Sequence, residues 1–219
     1  MLYNLAKSHR KETKNMKTWI LASNSPRRKE LLDMLCIPFT IQVSDVDERA
    51  LEQHYHTHTP IQKAAYTAQA KALAVSKTAP KNSIVVAADT IVALQNEILH
   101  KPKNADDAFQ ILSKLSSNTH TVYTGLSLVI TNADGEQNVL TDVSQTNVTF
   151  RMLTEPEIKA YIATGEPMDK AGAYGIQGKG ALFVEKIEGD YYTVMGLPLV
   201  LLHDMLKPYG ITLYDFWNR

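Results

Sequence analysis

The chain has 219 residues, of which 44% are hydrophobic, and its 23 basic and 23 acidic side chains give a formal net charge of zero. This length and composition indicate a globular fold with one sizeable core and exclude a largely disordered protein. The balanced charge excludes the broad basic face of a nucleic-acid-binding protein, so an anion site would have to be local. No apolar run approaches the roughly 20 residues of a membrane-spanning helix, which argues against a membrane partner.

The amino-terminal segment differs in character from the rest of the chain. Residues 1–16 are polar and partly basic, and they lack the apolar stretch of a signal peptide. We predict a disordered tail or an alternative start at Met16, followed by a single folded domain over residues 17–219. The one cysteine, Cys36, excludes an intramolecular disulfide and indicates a reducing, cytoplasmic location. Because Cys36 ends an apolar helical stretch, we expect its side chain to be buried.

Strands and helices alternate in the first half of the chain. Hydrophobic patterning predicts a strand over 18–22, helices over 26–35 and 61–77, a buried strand over 84–88 and a further strand over 91–94. Asp89 directly follows the buried strand. It is therefore predicted at the carboxyl end of a strand, where α/β sheets place their ligands.

The second half adds a long antiparallel element. Asn104 is expected to cap a helix that runs to Leu115. The later elements are a β-ribbon over 121–131 and 139–151, a helix over 154–165, a glycine-rich passage over 172–180, a strand over 181–187 and a last helix over 198–207. The pattern predicts an α/β fold with a mixed central β-sheet flanked by helices, and two lobes with an active-site cleft between them.

The loop between the first strand and helix carries the first candidate site. Ser25 suits the helix N-cap and Pro26 suits the first helical position, which places Arg27 and Arg28 in the first turn. Two cations there oppose the helix dipole, at a cost of about 0.3–1 kcal/mol each. A bound phosphate would remove this conflict, because helix N–H groups, hydroxyls and guanidinium groups together bind anions. The alternative is two solvated arginines on a surface turn.

Asp89 anchors the second candidate site. A carboxylate there can bind Mg²⁺, orient a water molecule or accept its proton, although it can also simply cap a turn. Glu48, in the acidic cluster 45–48, would supply a second hard oxygen ligand from a separate segment. Lys101, held by the following proline, and Lys71, on the alanine-rich helix, are the nearest cationic candidates. The cluster alone is also typical of a solvated turn, and Lys71 of a helix surface.

The third candidate is the passage over 166–178. It combines three glycines and two alanines with Lys170 and Gln177. Small residues let the backbone approach a ligand closely. Lys170 suits phosphate, and the Gln177 amide can both donate to and accept from the edge of a base. The alternative is a merely tight connection.

Together these segments resemble the Maf family of nucleotide pyrophosphatases, once described as septum-formation inhibitors. The resemblance runs from about residue 19 to about residue 206. Its ordered signatures are Ser23-Asn24-Ser25-Pro26-Arg27-Arg28, Ala88-Asp89-Thr90, Lys101-Pro102, His120-Thr121-Val122-Tyr123-Thr124-Gly125, the passage 169–178 and Gly196-Leu197-Pro198.

The resemblance implies a Maf-like catalytic domain that hydrolyses dTTP and UTP to the monophosphate and pyrophosphate, and that often forms a homodimer. Asp89 would be the catalytic base and would hold Mg²⁺ or Mn²⁺ together with Glu48. Substrate would be bound by Ser25, Arg27, Arg28, Lys71, Thr90, Lys101, Lys170 and Gln177. Among these, Arg27, Thr90 and Gln177 match the pyrimidine branch of the family, whereas a branch acting on 7-methyl-GTP carries other residues there.

Three other interpretations remain open at this stage. A related enzyme class would act on inosine or xanthosine triphosphate. A regulator of septum formation would bind nucleotides without essential catalysis. The alternating histidines of 54–58 would chelate a transition metal if extended, although no carboxylate or thiol partner is evident.

Overall fold

The chain folds around one seven-stranded sheet. The structure, a computed structural model, describes residues 17–54 and 57–217. The strands are β1 (Thr18–Leu21), β2 (Phe39–Ile41), β3 (Ser83–Leu94), β4 (Glu97–Leu99), β5 (Thr119–Thr131), β6 (Gln137–Phe150) and β7 (Val184–Glu188). The helices are α1 (Pro26–Met34), α2 (Glu48–His54), α3 (Pro60–Ser76), α4 (Ala105–Leu115), α5 (Glu155–Ile162), α6 (Tyr191–Met195) and α7 (Leu199–Leu206), with short 3₁₀ turns between several of them.

The sheet is mixed, as the sequence predicts. Its strand order is β2-β1-β3-β5-β6-β7, and β4 pairs with the far end of β3. β1 runs parallel to β2 and β3, whereas the pairs β3–β5, β5–β6 and β6–β7 are antiparallel. The long β5–β6 pair is the predicted ribbon. The α/β fold class with helices around a mixed sheet is therefore confirmed.

Side chains of β3 alternate between two cores. Ile84, Val86 and Ala88 join the main hydrophobic cluster on one face, which also packs against α4 and α7. Val85 and Ala87 face the smaller cluster under α3. By the two-residue period of a strand, Asp89 continues toward α3 and the next residue toward the main core.

Helix α3 lies very close to the sheet. Its buried face carries the alanines Ala64, Ala68 and Ala72, each fully buried. The helix backbone at Ala64 meets Gly125 of β5, where an added Cβ would overlap the Ala64 carbonyl. The helix is thereby held against the strands that carry the polar residues described below.

A gap in the sheet leaves one edge of the middle of β3 without a neighbouring strand. β1 pairs with β3 only over Ser83–Val86, and β4 pairs only with Val92–Leu94. Within the described ranges, no strand covers residues 87–91 on that edge. The prediction that Asp89 ends a strand is therefore wrong: β3 continues through it, and the strand that ends beside it is β1.

Several local predictions also differ from the structure. Cys36 is exposed, because it adopts a left-handed conformation after α1 and Ile37 takes the buried position. Glu48 begins a helix, where a turn was expected. The last sheet strand begins only at Val184, since 3₁₀ turns occupy 179–183. The predicted tail (residues 1–16) and part of the histidine stretch, residues 55–56, lie outside the described residues.

Candidate active site

A cleft opens at the gap beside β3. Its volume is about 810 Å³, which is the size of a small-molecule site. One wall is formed by the loop after β1, α2 and α3, and the other by β4, the passage 169–176 and the turn at Gly196. Nine predicted site residues line it: Ser25, Arg27, Arg28, Glu48, Lys71, Asp89, Thr90, Lys101 and Lys170.

Lys71 lies between the two carboxylates at the centre of this cleft. Its Nζ is 2.8 Å from Glu48 Oε1 and 2.8 Å from Asp89 Oδ1. The exposed fraction of the Lys71 side chain is 10%, and that of Asp89 is 18%, whereas Glu48 reaches out to solvent at 62%. Three segments distant in sequence thus meet at one ammonium group.

This arrangement shifts the two carboxyl groups in opposite directions. Burial raises the pKa of Asp89, and the charge and hydrogen bond of Lys71 only partly offset that effect. Burial would also raise the pKa of Glu48, but the hydrogen bond and charge of Lys71, helped by Lys101 and Arg28, outweigh it and lower this pKa. A carboxylate with a raised pKa in a cleft is suited to accepting a proton.

The same two carboxylates fit a divalent cation. Their oxygens already converge on one positive charge, and hard oxygen donors are what Mg²⁺ and Mn²⁺ prefer. Across residues 17–54 and 57–217, no cluster of three or more His, Cys, Asp or Glu side chains suited to a metal is found. Glu48 and Asp89 would supply two ligands, and the remainder would come from water or phosphate, as is common for Mg²⁺.

The loop after β1 presents hydrogen-bond donors to the cleft. Ser25 occupies the N-cap position of α1 as predicted, but its hydroxyl makes no capping hydrogen bond. The first turn of α1 contains no acidic residue. Arg27, in that turn, is half-buried along the cleft wall. A helix start that keeps its positive end uncompensated is suited to binding an anion.

Arg28 is anchored by the protein itself. Its Nε donates to Gly196 O at 2.7 Å, Nη1 to Ser23 Oγ at 3.0 Å and Nη2 to Thr90 Oγ1 at 3.2 Å. Three of its five N–H groups are thus used, which leaves two for a ligand. Arg28 therefore joins the loop after β1 to β3 and to the turn before α7.

Thr90 and Thr124 form a chain of hydrogen bonds in which the donor of each bond is fixed. Thr124 Oγ1 donates to Thr193 O at 2.7 Å and lies 3.0 Å from Thr90 Oγ1. Because a hydroxyl has one hydrogen, Thr90 must donate to Thr124. Thr90 also accepts from Arg28, so its oxygen has only an acceptor position left toward the cleft.

The passage 166–178 divides into a part inside the cleft and a part outside it. Lys170 lines the cleft, where its Nζ contacts Glu166 O at 2.7 Å and Asp169 Oδ1 at 2.6 Å. Gln177 is exposed and is not part of the lining, although Gly175 and Ile176 are. The Glu166 carboxylate accepts from Tyr161 Oη and from the backbone at 179 and 180, which holds this turn. The structure therefore does not bring Gln177 together with the other candidates.

Sequence reasoning missed several cleft residues. Lys63 and Thr67 lie four residues apart on the α3 face that also carries Lys71, and Lys103 follows β4. The helical period from Lys71 would have identified the first two. Counting these, the lining has seven Lys and Arg side chains against three acidic ones, Glu48, Asp89 and Asp169. The cleft is thus positive in a chain whose net charge is zero, which favours a polyanionic ligand.

Comparison with known proteins identifies the family of this chain. A "dTTP/UTP pyrophosphatase" of Bacillus cereus is 46% identical over 92% of this chain and 95% of its own length. A protein of the same description from Bacillus cytotoxicus is 50% identical over 89% and 96%, respectively. A solved HAM1 protein from Coxiella burnetii covers 88% of this chain and all of its own, with 16% identity and a TM-score of 0.43. Residues 18–209 match the family described as Maf-like protein, and the chain belongs to this family.

Proposed function

We propose that this protein is a nucleoside-triphosphate pyrophosphatase that hydrolyses dTTP and UTP to the nucleoside monophosphate and pyrophosphate. The observation that carries the proposal is the meeting of Glu48, Asp89 and Lys71 in a cleft with an excess of cations. The choice of pyrimidine substrates rests on the description of relatives that share about half of its residues.

In the proposed reaction, water attacks the α-phosphorus of the bound triphosphate. A new P–O bond forms to the water oxygen, the bond from the α-phosphorus to the bridging oxygen breaks, and pyrophosphate leaves with that oxygen. Asp89 orients the water and takes its proton, a role supported by its raised pKa. Mg²⁺ or Mn²⁺, when held by Glu48 and Asp89, would offset negative charge on the phosphate oxygens.

The cationic side chains bind and position the phosphates. Arg27, Lys101 and Lys170 line the cleft, and the two unused N–H groups of Arg28 and the Ser25 hydroxyl lie at the start of α1. Because phosphate transfer needs little covalent help from a protein, positioning and charge carry most of the catalytic effect.

Base recognition is assigned to Thr90 and Arg27, which both line the cleft. Thr90 offers an acceptor, which suits an N–H group of a pyrimidine edge. Arg27 lines the cleft from the first turn of α1. A role for Gln177 remains a prediction, and it requires the turn held by Glu166 to move toward the cleft.

The test compares Asp89→Asn with Asp142→Asn, which alters an exposed carboxylate on β6 outside the cleft. Asparagine can still accept the Lys71 hydrogen bond, so both variants should fold. We expect release of pyrophosphate from UTP to be lost in the first variant and unchanged in the second. Wild-type turnover by Asp89→Asn would remove this residue from the mechanism.

A nucleotide panel decides the substrate. Separate detection of pyrophosphate and orthophosphate identifies the bond that is cleaved. Preference for ITP over dTTP and UTP would favour the class that acts on inosine and xanthosine triphosphates. If Asp89→Asn fully restored function in cells that lack the protein, a non-catalytic regulator would be favoured.

Assembly and location are separate from the chemistry. The homodimer implied by the family remains a prediction, which sedimentation of the purified chain would test. In the described part of the chain, no helix combines the length and the apolar character needed to cross a bilayer. A cytoplasmic location is proposed on the single cysteine.

A further inference from the structure

Lys71 occupies the position between the two carboxylates that a divalent cation would use. Because both oxygens are 2.8 Å from the same nitrogen, they are separated by no more than twice that distance. Two positive groups cannot share this position, since each would lose the anionic contacts that hold it and would repel the other. Lys71 must therefore release at least one carboxylate before a divalent cation can bind there.

The released ammonium has few places to go. Helix α3 is fixed by its buried alanines, Ala64, Ala68 and Ala72, so the Lys71 side chain moves without its backbone. Rotation along the cleft face of α3 takes the ammonium toward Thr67 and Lys63, into a wall that already has excess positive charge. Without an anion in the cleft, this movement is unfavourable.

A triphosphate changes that balance. Its oxygens would give the released ammonium a new anionic partner in the same cleft, and they would complete the coordination of a divalent cation that has only two protein ligands. Release of Lys71 and binding of the cation are therefore both favoured by the same ligand.

We infer that Lys71 is an exchangeable counter-cation that keeps free divalent cations weakly bound until nucleotide phosphates enter the cleft. The inference rests on the proposed function and makes the metal–nucleotide complex, rather than a preloaded metalloenzyme plus free nucleotide, the species that the protein binds. Lys71 then has two successive partners, the carboxylates first and the phosphates afterwards.

The experiment measures Mn²⁺ binding to the purified full chain without nucleotide, by electron paramagnetic resonance of free Mn²⁺. Lys71→Met removes the competing charge, and we expect it to tighten Mn²⁺ binding at least about tenfold. Lys71→Arg keeps a cation and should leave binding weak. Damage to the fold would weaken binding rather than tighten it, so a gain in affinity separates this role from a structural one.

Lys63→Met is the matched control. It removes the same charge from the same face of α3, but within the described residues no ion pair joins Lys63 to a carboxylate. Mn²⁺ affinity should change less than about threefold in this variant. Equal tightening in both variants, or none in Lys71→Met, would overturn the inference.

A second titration includes a uridine triphosphate analogue that cannot be cleaved between its α- and β-phosphates. The analogue should tighten Mn²⁺ binding by about tenfold in the wild type, and by less in Lys71→Met. Equal tightening in both proteins would contradict the exchange of partners. Failure of the wild type to release pyrophosphate from UTP would refute the proposed function, while the comparison of Mn²⁺ affinities would still report on Lys71.

Discussion

Gly125 does not line the cleft, but one methyl group added there should disable the site. It lies in β5 directly opposite Asp89, where α3 crosses the sheet. A Cβ at this position would overlap the carbonyl carbon and oxygen of Ala64 and lie 2.9 Å from the nitrogen of Ala65. All three are backbone atoms, so no side-chain rotation can relieve the contact.

The size of the effect follows from this overlap. Non-bonded heavy atoms prefer separations of about 3.5–4.0 Å, so Gly125→Ala must push α3 away from the sheet by about 1 Å. Overpacking of this kind costs about 3 kcal/mol, which for a chain of this size lowers Tm by about 10 °C. Lys71 lies two turns further along α3, and a displacement of about 1 Å at a reacting group costs about 10²-fold in rate.

The assay measures kcat/KM for UTP well below Tm, with circular dichroism to confirm that the variant is folded. Gly210→Ala is the control, because an added Cβ there meets nothing within 4 Å and only the positive φ of 66° is strained. It should lose about 1 kcal/mol of stability without loss of kcat/KM. Wild-type activity in folded Gly125→Ala would show that close packing of α3 is not what positions Lys71.

Three further predictions concern residues around the cleft. Thr124→Val leaves Thr193 O without its donor and should cost about 1–3 kcal/mol and lower kcat/KM for UTP, whereas Thr124→Ser should retain both stability and activity. Burial lowers the pKa of His120 to about 4, so the unfolded chain binds the proton first and stability should fall by about 3 kcal/mol between pH 6.5 and 4; urea unfolding of His120→Gln should lose that part of the slope. Glu166→Gln weakens the contacts that hold the turn at 179–180, and amide exchange there should become faster; unchanged exchange would exclude that support.

The sequence predicted what local patterns control. Alternating apolar residues and the helix caps led to the mixed sheet and to most helix positions. Asn104 does cap α4, accepting from Asp107 N at 2.8 Å. The predicted burial of Cys36 was wrong because exposure at a helix end depends on the backbone φ angle there. Apolar periodicity does not reveal that angle.

The candidate site shows more clearly what local sequence patterns cannot predict. Asp89 was correctly predicted to line the cleft but was wrongly placed at the end of its own strand. The gap beside Asp89 opens because the neighbouring strand β1 ends, and β1 is a separate segment of the chain. Lys63 was missed because a lysine on an alanine-rich helix is ordinary until the facing wall is known. The exposure of Gln177 depends on Glu166, whose hold on the turn is a tertiary contact with no sequence signature.

The unbroken pairing of β3 has a mechanical consequence. β5 pairs with it from Ser83 to Ala93, on both sides of the gap, and β6 extends the same ladder. Hinged closure of two rigid halves would have to bend these long strands and strain many hydrogen bonds at once. We therefore expect the strands under the cleft to stay rigid when a nucleotide binds, and any movement to be confined to the rim, in the loop after β1 and in α2 with Glu48.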